Sequence, residues 1–129
     1  MKYYIVIPSY NEEALIGLTL QSLISQTVLP SKIVVVNDNS TDRTAEVVLE
    51  FAKNNPYIRL VNKSSENIHL PGSKVIQAFE KGFETLDDNY DLIVKIDADL
   101  IFPPNYFETI IKHFQSDERI GMVGGFCYI

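Results

Sequence analysis

Asp97 and Asp99 are the side chains of this sequence best suited to bind a divalent cation, because only one residue separates them. They follow an apolar segment, residues 91–96. Residues i and i+2 of an extended chain point to the same side, with Cα atoms roughly 6.5 Å apart. Two such carboxylates can hold a hard cation and leave positions open for the phosphates of a ligand. The alternative is two solvated acids in a turn, the commoner case for an isolated Asp-x-Asp.

Asp38 is a second candidate for ligand binding, and it also follows an apolar segment, residues 32–37. Its carboxylate could accept a hydrogen bond from the imide N–H of uracil, which would select against bases without such a donor. Alternatively, Asp38 or Asn39 forms an Asx turn, or Asp42 caps the following helix, and these roles are more frequent. Tyr10 could stack on a base, although a tyrosine beside a sheet more often packs against its neighbours.

Apolar strands alternating with amphipathic helices must position these side chains. Segments typical of strands are residues 3–7, 32–37, 57–61, 91–96 and 120–129, and a helical pattern follows each of the first four. Asn11 offers an N-cap to the first helix. The order predicts an α/β fold, a mostly parallel sheet flanked by helices on both faces, with right-handed crossovers. Ligands of such sheets bind beyond the carboxyl ends of the strands, so the polar residues after strands one, two and four should converge.

Composition and charge narrow the functional classes. The 129 residues are 46% apolar and 22% charged, which predicts one globular domain over residues 1–129. A net charge of −6 would repel phosphate backbones, so we expect no nucleic-acid partner. The one cysteine, Cys127, excludes an internal disulfide and a cysteine-based zinc site. Without a secretory signal or a membrane-spanning apolar stretch, we expect a cytoplasmic chain, or one that is membrane-associated through regions not present here.

Three motifs taken together are more specific than any of these residues alone. In their order and spacing, residues 5–12 (IVIPSYNE), 34–42 (VVVNDNSTD) and 96–99 (IDAD) resemble the inverting family 2 glycosyltransferases. The resemblance covers nearly the whole chain, and it implies a GT-A fold, which is Rossmann-like, a nucleotide-diphosphate sugar donor and a Mg²⁺ or Mn²⁺ ion. It further implies metal-assisted transfer of the sugar, with inversion, to the hydroxyl of an acceptor. The acceptor could be a polysaccharide, a lipid or a protein.

The resemblance also assigns residues to the two ends of the donor. At the nucleoside end, Pro8, Ser9 and Tyr10 would line the base and ribose pocket. Asp38 would contact the base, for which we favour uracil and hence a UDP-sugar.

At the diphosphate end, Asp99 would ligate the metal that bridges the two phosphates, and Asp97 would lie near the ribose or the metal. Glu12 matches the acidic position that follows Tyr-Asn in the family and could reach the nucleotide. A basic residue often lies near the nucleotide in this family, and the candidates here are Lys74 and, as a second choice, Lys63.

A catalytic base is the part of the implied site that the sequence lacks. In the family it is an acid well past the metal motif, whereas Asp117 and Glu118 fall at the wrong end of the sheet. The chain ends on an apolar run, residues 124–129, which suggests truncation at the C-terminus. We therefore expect the base beyond Ile129, no transfer by this chain alone, and self-association through an exposed sheet edge.

Two other functions remain open from the residues. The first is a nucleotide-sugar binding module without catalysis, which would keep the same site. The second is a Mg²⁺-dependent receiver-like signalling domain, which also gathers acids at strand ends. That domain needs a phosphorylatable aspartate at the end of its middle strand, whereas the third predicted strand ends in residues 61–63, Val-Asn-Lys.

Overall fold

A four-stranded parallel sheet organises the molecule. The structure, a computed structural model, describes residues 1–63 and 73–116. The strands are β1 (Tyr3–Ser9), β2 (Lys32–Asp38), β3 (Ile58–Lys63) and β4 (Leu92–Lys95), and they are ordered β3-β2-β1-β4. The helices are α1 (Ile16–Ile24), α2 (Thr44–Asn54), α3 (Ser73–Glu84) and α4 (Tyr106–Ser116). The predicted α/β class is confirmed, and the predicted fifth strand lies outside the described residues.

Helices cover both faces of the sheet, as the uninterrupted apolar strands predict. Side chains alternate along a strand, so Ile5 and Ile33 point to one face, where they pack with buried residues of α1, α2 and α4. Val6, Val34 and Val36 point to the other face and pack against Ala78 of α3. Burial of each such side chain contributes about 1.5–3 kcal/mol. None of the helices in the described part has both the length and the apolar character needed to cross a bilayer.

Helix α3 approaches the sheet unusually closely at Gly82. A Cβ atom at Gly82 would lie 2.7 Å from Val36 Cγ2 and 2.8 Å from Val6 Cγ1, which is shorter than real Cβ contacts. Both neighbours are β-branched and have little freedom to move aside. Glycine is therefore the residue that lets α3 lie at this distance from β1 and β2.

Asp87 joins the amino-terminal ends of the strands to the segment after α3. Its carboxylate accepts a hydrogen bond from the Tyr4 hydroxyl at 2.6 Å and pairs with the Lys32 ammonium at 2.6 Å. The bond to Lys32, followed by those from Tyr4 and from the Asn89 N–H, holds the pKa of Asp87 well below its usual range. Conversely, the hydrogen bond to Asp87 raises the pKa of Tyr4 to about 12.

Replacing Asp87 with asparagine should therefore destabilise the protein in a pH-dependent way. Because the pKa of Asp87 is lower in the folded than in the unfolded chain, its stabilisation is complete above the unfolded pKa of about 4. The stabilisation is lost as the pH falls towards the folded pKa. Urea unfolding should show the largest difference between wild type and Asp87→Asn near pH 7 and a shrinking difference below about pH 4.

Asp88→Asn is the matched control, because Asp88 is the exposed neighbouring acid. Its effect on the free energy of unfolding should be small at pH 7. A difference between wild type and Asp87→Asn that stayed constant on acidification would contradict the role given to the Asp87 carboxylate.

Candidate active site

A cavity of about 670 Å³ lies where β1, β2 and β4 end. This volume is in the ordinary range for small-molecule and cofactor sites. The carboxyl ends of parallel strands meet at one edge, which brings together residues far apart in the sequence. The lining residues are Pro8, Ser9, Tyr10, Glu12, Asp38, Asn39, Lys74, Val75, Ala78, Asp97, Ala98 and Asp99. Each residue that the sequence analysis assigned to the nucleotide or the metal, other than the second-choice Lys63, is among them.

Asp38, the last residue of β2, is buried and lines the cavity. Its Oδ1 lies 3.8 Å from the Lys63 ammonium, and both side chains are largely buried. The Asx-type turn of this loop is made by Asn37 instead, whose Oδ1 accepts the Ser40 N–H at 3.2 Å. Asp42 does not occupy the N-cap position of α2, which is Arg43, but its carboxylate accepts the N–H of Thr44, the first residue of α2, at 2.9 Å. Within residues 1–63 and 73–116, the turn and the bond at the start of α2 are thus made by Asn37 and Asp42, whereas Asp38 lines the cavity.

Tyr10 and Ser9 differ in how available they are to a ligand. Tyr10 is 60% exposed beside the cavity, so its ring face is free of core packing. Ser9 is buried, and its hydroxyl donates to the Val36 carbonyl at 2.9 Å. Ser9 therefore joins β1 to β2 and can offer a ligand only its remaining acceptor capacity.

The segment of Asp97 and Asp99 is a turn and not the extended chain that the sequence predicts. β4 ends at Lys95, and the Leu100 N–H is 3.4 Å from the Asp97 carbonyl. The alternation of side chains along a strand therefore does not determine where the side chains of Asp97 and Asp99 lie. Both nevertheless line the cavity. Asp97 is exposed and lies 3.8 Å from the Lys95 ammonium, whereas Asp99 is half-buried.

Several acidic side chains act on Glu12, which lines the cavity. Burial of Glu12 raises the pKa of its carboxyl. The charges of Asp99, Asp42 and Asp97 raise it further, in that order. A phosphate group brought here meets several carboxylates, so it needs a compensating cation.

Backbone amides can also bind a phosphate group, but three amides of the loop between β1 and α1 already have partners. Asn11 has a left-handed backbone, with φ of 49°, and α1 begins only at Ile16. The predicted N-cap at Asn11 is therefore wrong. Its Oδ1 instead accepts the Thr41 N–H at 2.8 Å across to the next loop.

Three consecutive amides of this loop are bound by side chains of the β2–α2 loop and of the first residue of α2. The N–H groups of Asn11, Glu12 and Glu13 donate to Ser40 Oγ, Thr44 Oγ1 and Asp42 Oδ2 at 3.0, 2.9 and 3.2 Å. Phosphate-binding loops use such free amides at the start of a helix. Here they are taken, so a phosphate group would depend on a nearby ammonium group, such as that of Lys74 in the cavity lining, or on a metal ion.

Asp97 and Asp99 fit a Mg²⁺ or Mn²⁺ ion that arrives with a phosphorylated ligand. In residues 1–63 and 73–116, no group of three or more His, Cys, Asp or Glu lies close enough to hold a metal. Mg²⁺ is usually bound by one or two carboxylates, with water and substrate phosphates completing its shell. Asp97 and Asp99, which both line the cavity, supply that number of carboxylates.

The comparison with protein families decides the class of this chain. A model described as glycosyl transferase family 2 matches residues 4–129. The chain belongs to this family. This assignment confirms the resemblance found in the three motifs. The alternative of a receiver-like signalling domain is therefore wrong.

Relatives of this family 2 chain are longer proteins. Chondroitin synthase of Pasteurella multocida (strain Pm70) is 31% identical over 119 residues, which are 92% of this chain and 11% of that protein. The probable glycosyltransferase YdaM of Bacillus subtilis (strain 168) is 32% identical over 126 residues, which are 96% of this chain and 29% of that protein. The family 2 chain thus spans about a tenth to a third of the curated relatives it matches.

Solved structures confirm the GT-A fold of the family 2 chain. S. aureus TarS 1-349 in complex with UDP superimposes with a TM-score of 0.71 at 21% identity, over 92% of this chain and 33% of that one. The mannosyltransferase PcManGT from Pyrobaculum calidifontis, in complex with GDP-Man and Mn²⁺, gives a TM-score of 0.69 at 23% identity, over 93% and 34%.

Some residues at the cavity, or in contact with its lining, could not be identified from the sequence pattern. Val75 and Ala78 of α3 line the cavity, but helical periodicity does not tell which end of a helix meets the strand ends. Thr19, in the middle of α1, donates to the Ala98 carbonyl, a contact between residues 79 positions apart.

Proposed function

We propose that this chain is the donor-binding portion of a glycosyltransferase. It would bind a nucleotide-diphosphate sugar, preferably a UDP-sugar, whose sugar passes to an acceptor hydroxyl with inversion. The carrying observation is that one cavity holds a buried base-reading candidate, Asp38, and the acidic pair Asp97 and Asp99. Family membership supports transferase chemistry. Solved structures of the same fold include complexes with UDP, UDP-GlcNAc and GDP-Man, which supports a nucleotide-sugar donor for this chain.

The chain's own residues would divide the work between the ends of the donor. Asp38 would accept the imide N–H of uracil, and the exposed Tyr10 ring would lie against the base or ribose. Lys74 would meet the phosphates, while Asp97 and Asp99 would hold the Mg²⁺ or Mn²⁺ ion. When bound, the metal supplies positive charge to the diphosphate leaving group. None of the described residues, 1–63 and 73–116, is assigned to the deprotonation of the acceptor, whether polysaccharide, lipid or protein.

Calorimetric titration with UDP, GDP and ADP, each with Mn²⁺ and with EDTA, tests this function. We expect UDP to bind more tightly than ADP and only with the metal present. Equal binding of all three nucleotides, or UDP binding that EDTA does not change, would refute the proposal. A nucleotide-sugar binding module without catalysis would show the same binding profile. An assay of sugar transfer by the full-length protein distinguishes that module from a transferase.

Asp38→Ala should reduce the preference for UDP. Loss of one buried hydrogen-bonding partner should weaken UDP binding by about 1–3 kcal/mol and leave ADP binding nearly unchanged. The same titrations measure both affinities.

The Asp38 variant needs a control, because it leaves the buried ammonium of Lys63 without this partner. Asp38→Ala combined with Lys63→Met removes both charges and should show the same loss of preference. A preference for UDP over ADP that survives in both variants would show that Asp38 does not read the base.

A further inference from the structure

We propose that Thr19 is a positioning residue for the cation site, because its hydroxyl holds the Ala98 carbonyl and thereby the turn that carries Asp97 and Asp99. This inference rests on the proposed function, since it assigns a task to Thr19 only if that turn binds a metal with the donor. Thr19 itself lies in α1 and does not line the cavity.

The contact is buried and well defined. Thr19 is 0% exposed, and its Oγ1 lies 2.9 Å from the Ala98 carbonyl oxygen. The same Oγ1 is 3.2 Å from the Leu15 carbonyl oxygen, but that oxygen already accepts the Thr19 N–H at 3.0 Å. A hydroxyl has one hydrogen to donate, and the shorter contact assigns it to Ala98.

Ala98 is the anchor of the turn. Its methyl group is buried in the main hydrophobic core, so the turn is held from inside the protein by both the side chain and the carbonyl of one residue. The other bonds near the turn are longer, 3.4 Å from Leu100 N to the Asp97 carbonyl and 3.2 Å from Ile96 N to the Val6 carbonyl. The two acids flank this anchor in the chain, and all three residues line the cavity.

Removing the hydroxyl would leave a buried carbonyl without this donor. The turn could satisfy that carbonyl only by shifting towards another donor or towards water, because an unpaired buried acceptor is costly. A shift of Ala98 moves both flanking carboxylates. Mg²⁺ requires near-ideal octahedral geometry, so a displacement of the acids would weaken metal binding without altering the nucleoside end.

The test compares Thr19→Val, which keeps the shape and removes the hydroxyl, with Thr19→Ser, which keeps the hydroxyl. Mn²⁺ binding in the presence of UDP is measured by electron paramagnetic resonance. The binding of UDP with Mn²⁺ and of uridine without metal is measured by calorimetry. We expect Thr19→Val to weaken Mn²⁺ binding and Mn²⁺-dependent UDP binding about 10-fold, the scale seen when partners of metal ligands are removed. Uridine binding should not change, and Thr19→Ser should behave as wild type.

Thr109→Val is the matched control. Thr109 is exposed on α4, and its hydroxyl donates to the Asn105 carbonyl at 2.9 Å, a bond of the same kind and length away from the cavity. Its Mn²⁺ affinity should equal that of wild type. If Thr19→Val does not fold, Thr19→Ser and Thr19→Ala give the same comparison, because both lack the methyl group and differ only in the hydroxyl.

The outcomes separate this inference from the proposed function. Wild type that binds UDP only with Mn²⁺, together with a Thr19→Val variant of unchanged Mn²⁺ affinity, refutes the role of Thr19 alone. A Thr19→Val variant that loses uridine and Mn²⁺ binding equally refutes it as well, because that result indicates a general structural effect. Wild type that does not bind Mn²⁺ in the presence of UDP refutes both.

Discussion

Asp99→Asn should weaken Mn²⁺-dependent UDP binding by about 100-fold, which is ~2.8 kcal/mol at 1.4 kcal/mol per factor of ten. Asparagine keeps the shape and one oxygen but loses the charge that a hard cation requires. Removing the mere partners of metal ligands already reduces metal affinity 10–100-fold, so loss of a ligand should reach the upper part of that range. Titration of UDP in the presence of Mn²⁺ measures the effect.

The neighbouring acid provides a graded comparison. Asp97 is exposed and lies near the Lys95 ammonium, whereas Asp99 is half-buried, so Asp97→Asn should cause a smaller loss, about 10-fold. Glu84→Gln, at the end of α3 and outside the cavity, should have no effect on UDP binding. Equal UDP affinity of Asp99→Asn and wild type would exclude Asp99 as a metal ligand.

Gly82→Ala should destabilise the protein by up to about 2 kcal/mol, although alanine is the better helix former. The added methyl would lie 2.7 Å from Val36 Cγ2 and 2.8 Å from Val6 Cγ1. Overpacking of this kind costs about 1–3 kcal/mol, and the gain in helix propensity returns about 1 kcal/mol. UDP affinity should fall too, because a displaced α3 carries Lys74 and Val75 away from the cavity.

Gly17→Ala is the control for helix propensity. A Cβ atom at Gly17 would lie 3.4 Å from Val47 Cγ1 and 3.7 Å from Phe51 Cε2, so the site accepts it with little adjustment. This variant should be more stable than wild type by up to about 1 kcal/mol in urea unfolding. If Gly82→Ala stabilised the protein to the same degree, α3 could not lie as close to the sheet as described.

The sequence predicts the architecture because apolar periodicity and topology determine it. Strands β1 and β2 are buried on both faces and appear as continuous runs of Ile and Val, and their carboxyl ends carry Tyr10 and Asp38. The rule that ligands bind beyond such ends therefore places these residues at one cavity without any knowledge of side-chain contacts.

The local errors arise where long-range contacts outweigh local preference. Asn11 has the chemistry of an N-cap, but its side chain bonds to Thr41 in the next loop, and α1 begins five residues later than Asn11. The segment from Asp97 appears extended because an apolar strand precedes it, yet it turns at Ala98, which the core and Thr19 hold. Both partners lie 30 or more positions away, beyond the range of any local pattern.

The bonding of the amides of residues 11–13 to Ser40, Thr44 and Asp42 has a consequence for protein engineering. The segments that follow β1 and β2 at the cavity form one structural module, although α1 and β2 separate them in the chain. If residues 10–13 were replaced by those of another transferase, their backbone N–H groups would face acceptor side chains that are not the ones they bind in their own protein. Changes of donor specificity made by loop exchange must therefore transplant residues 10–13 and 38–44 together, as a discontinuous cassette.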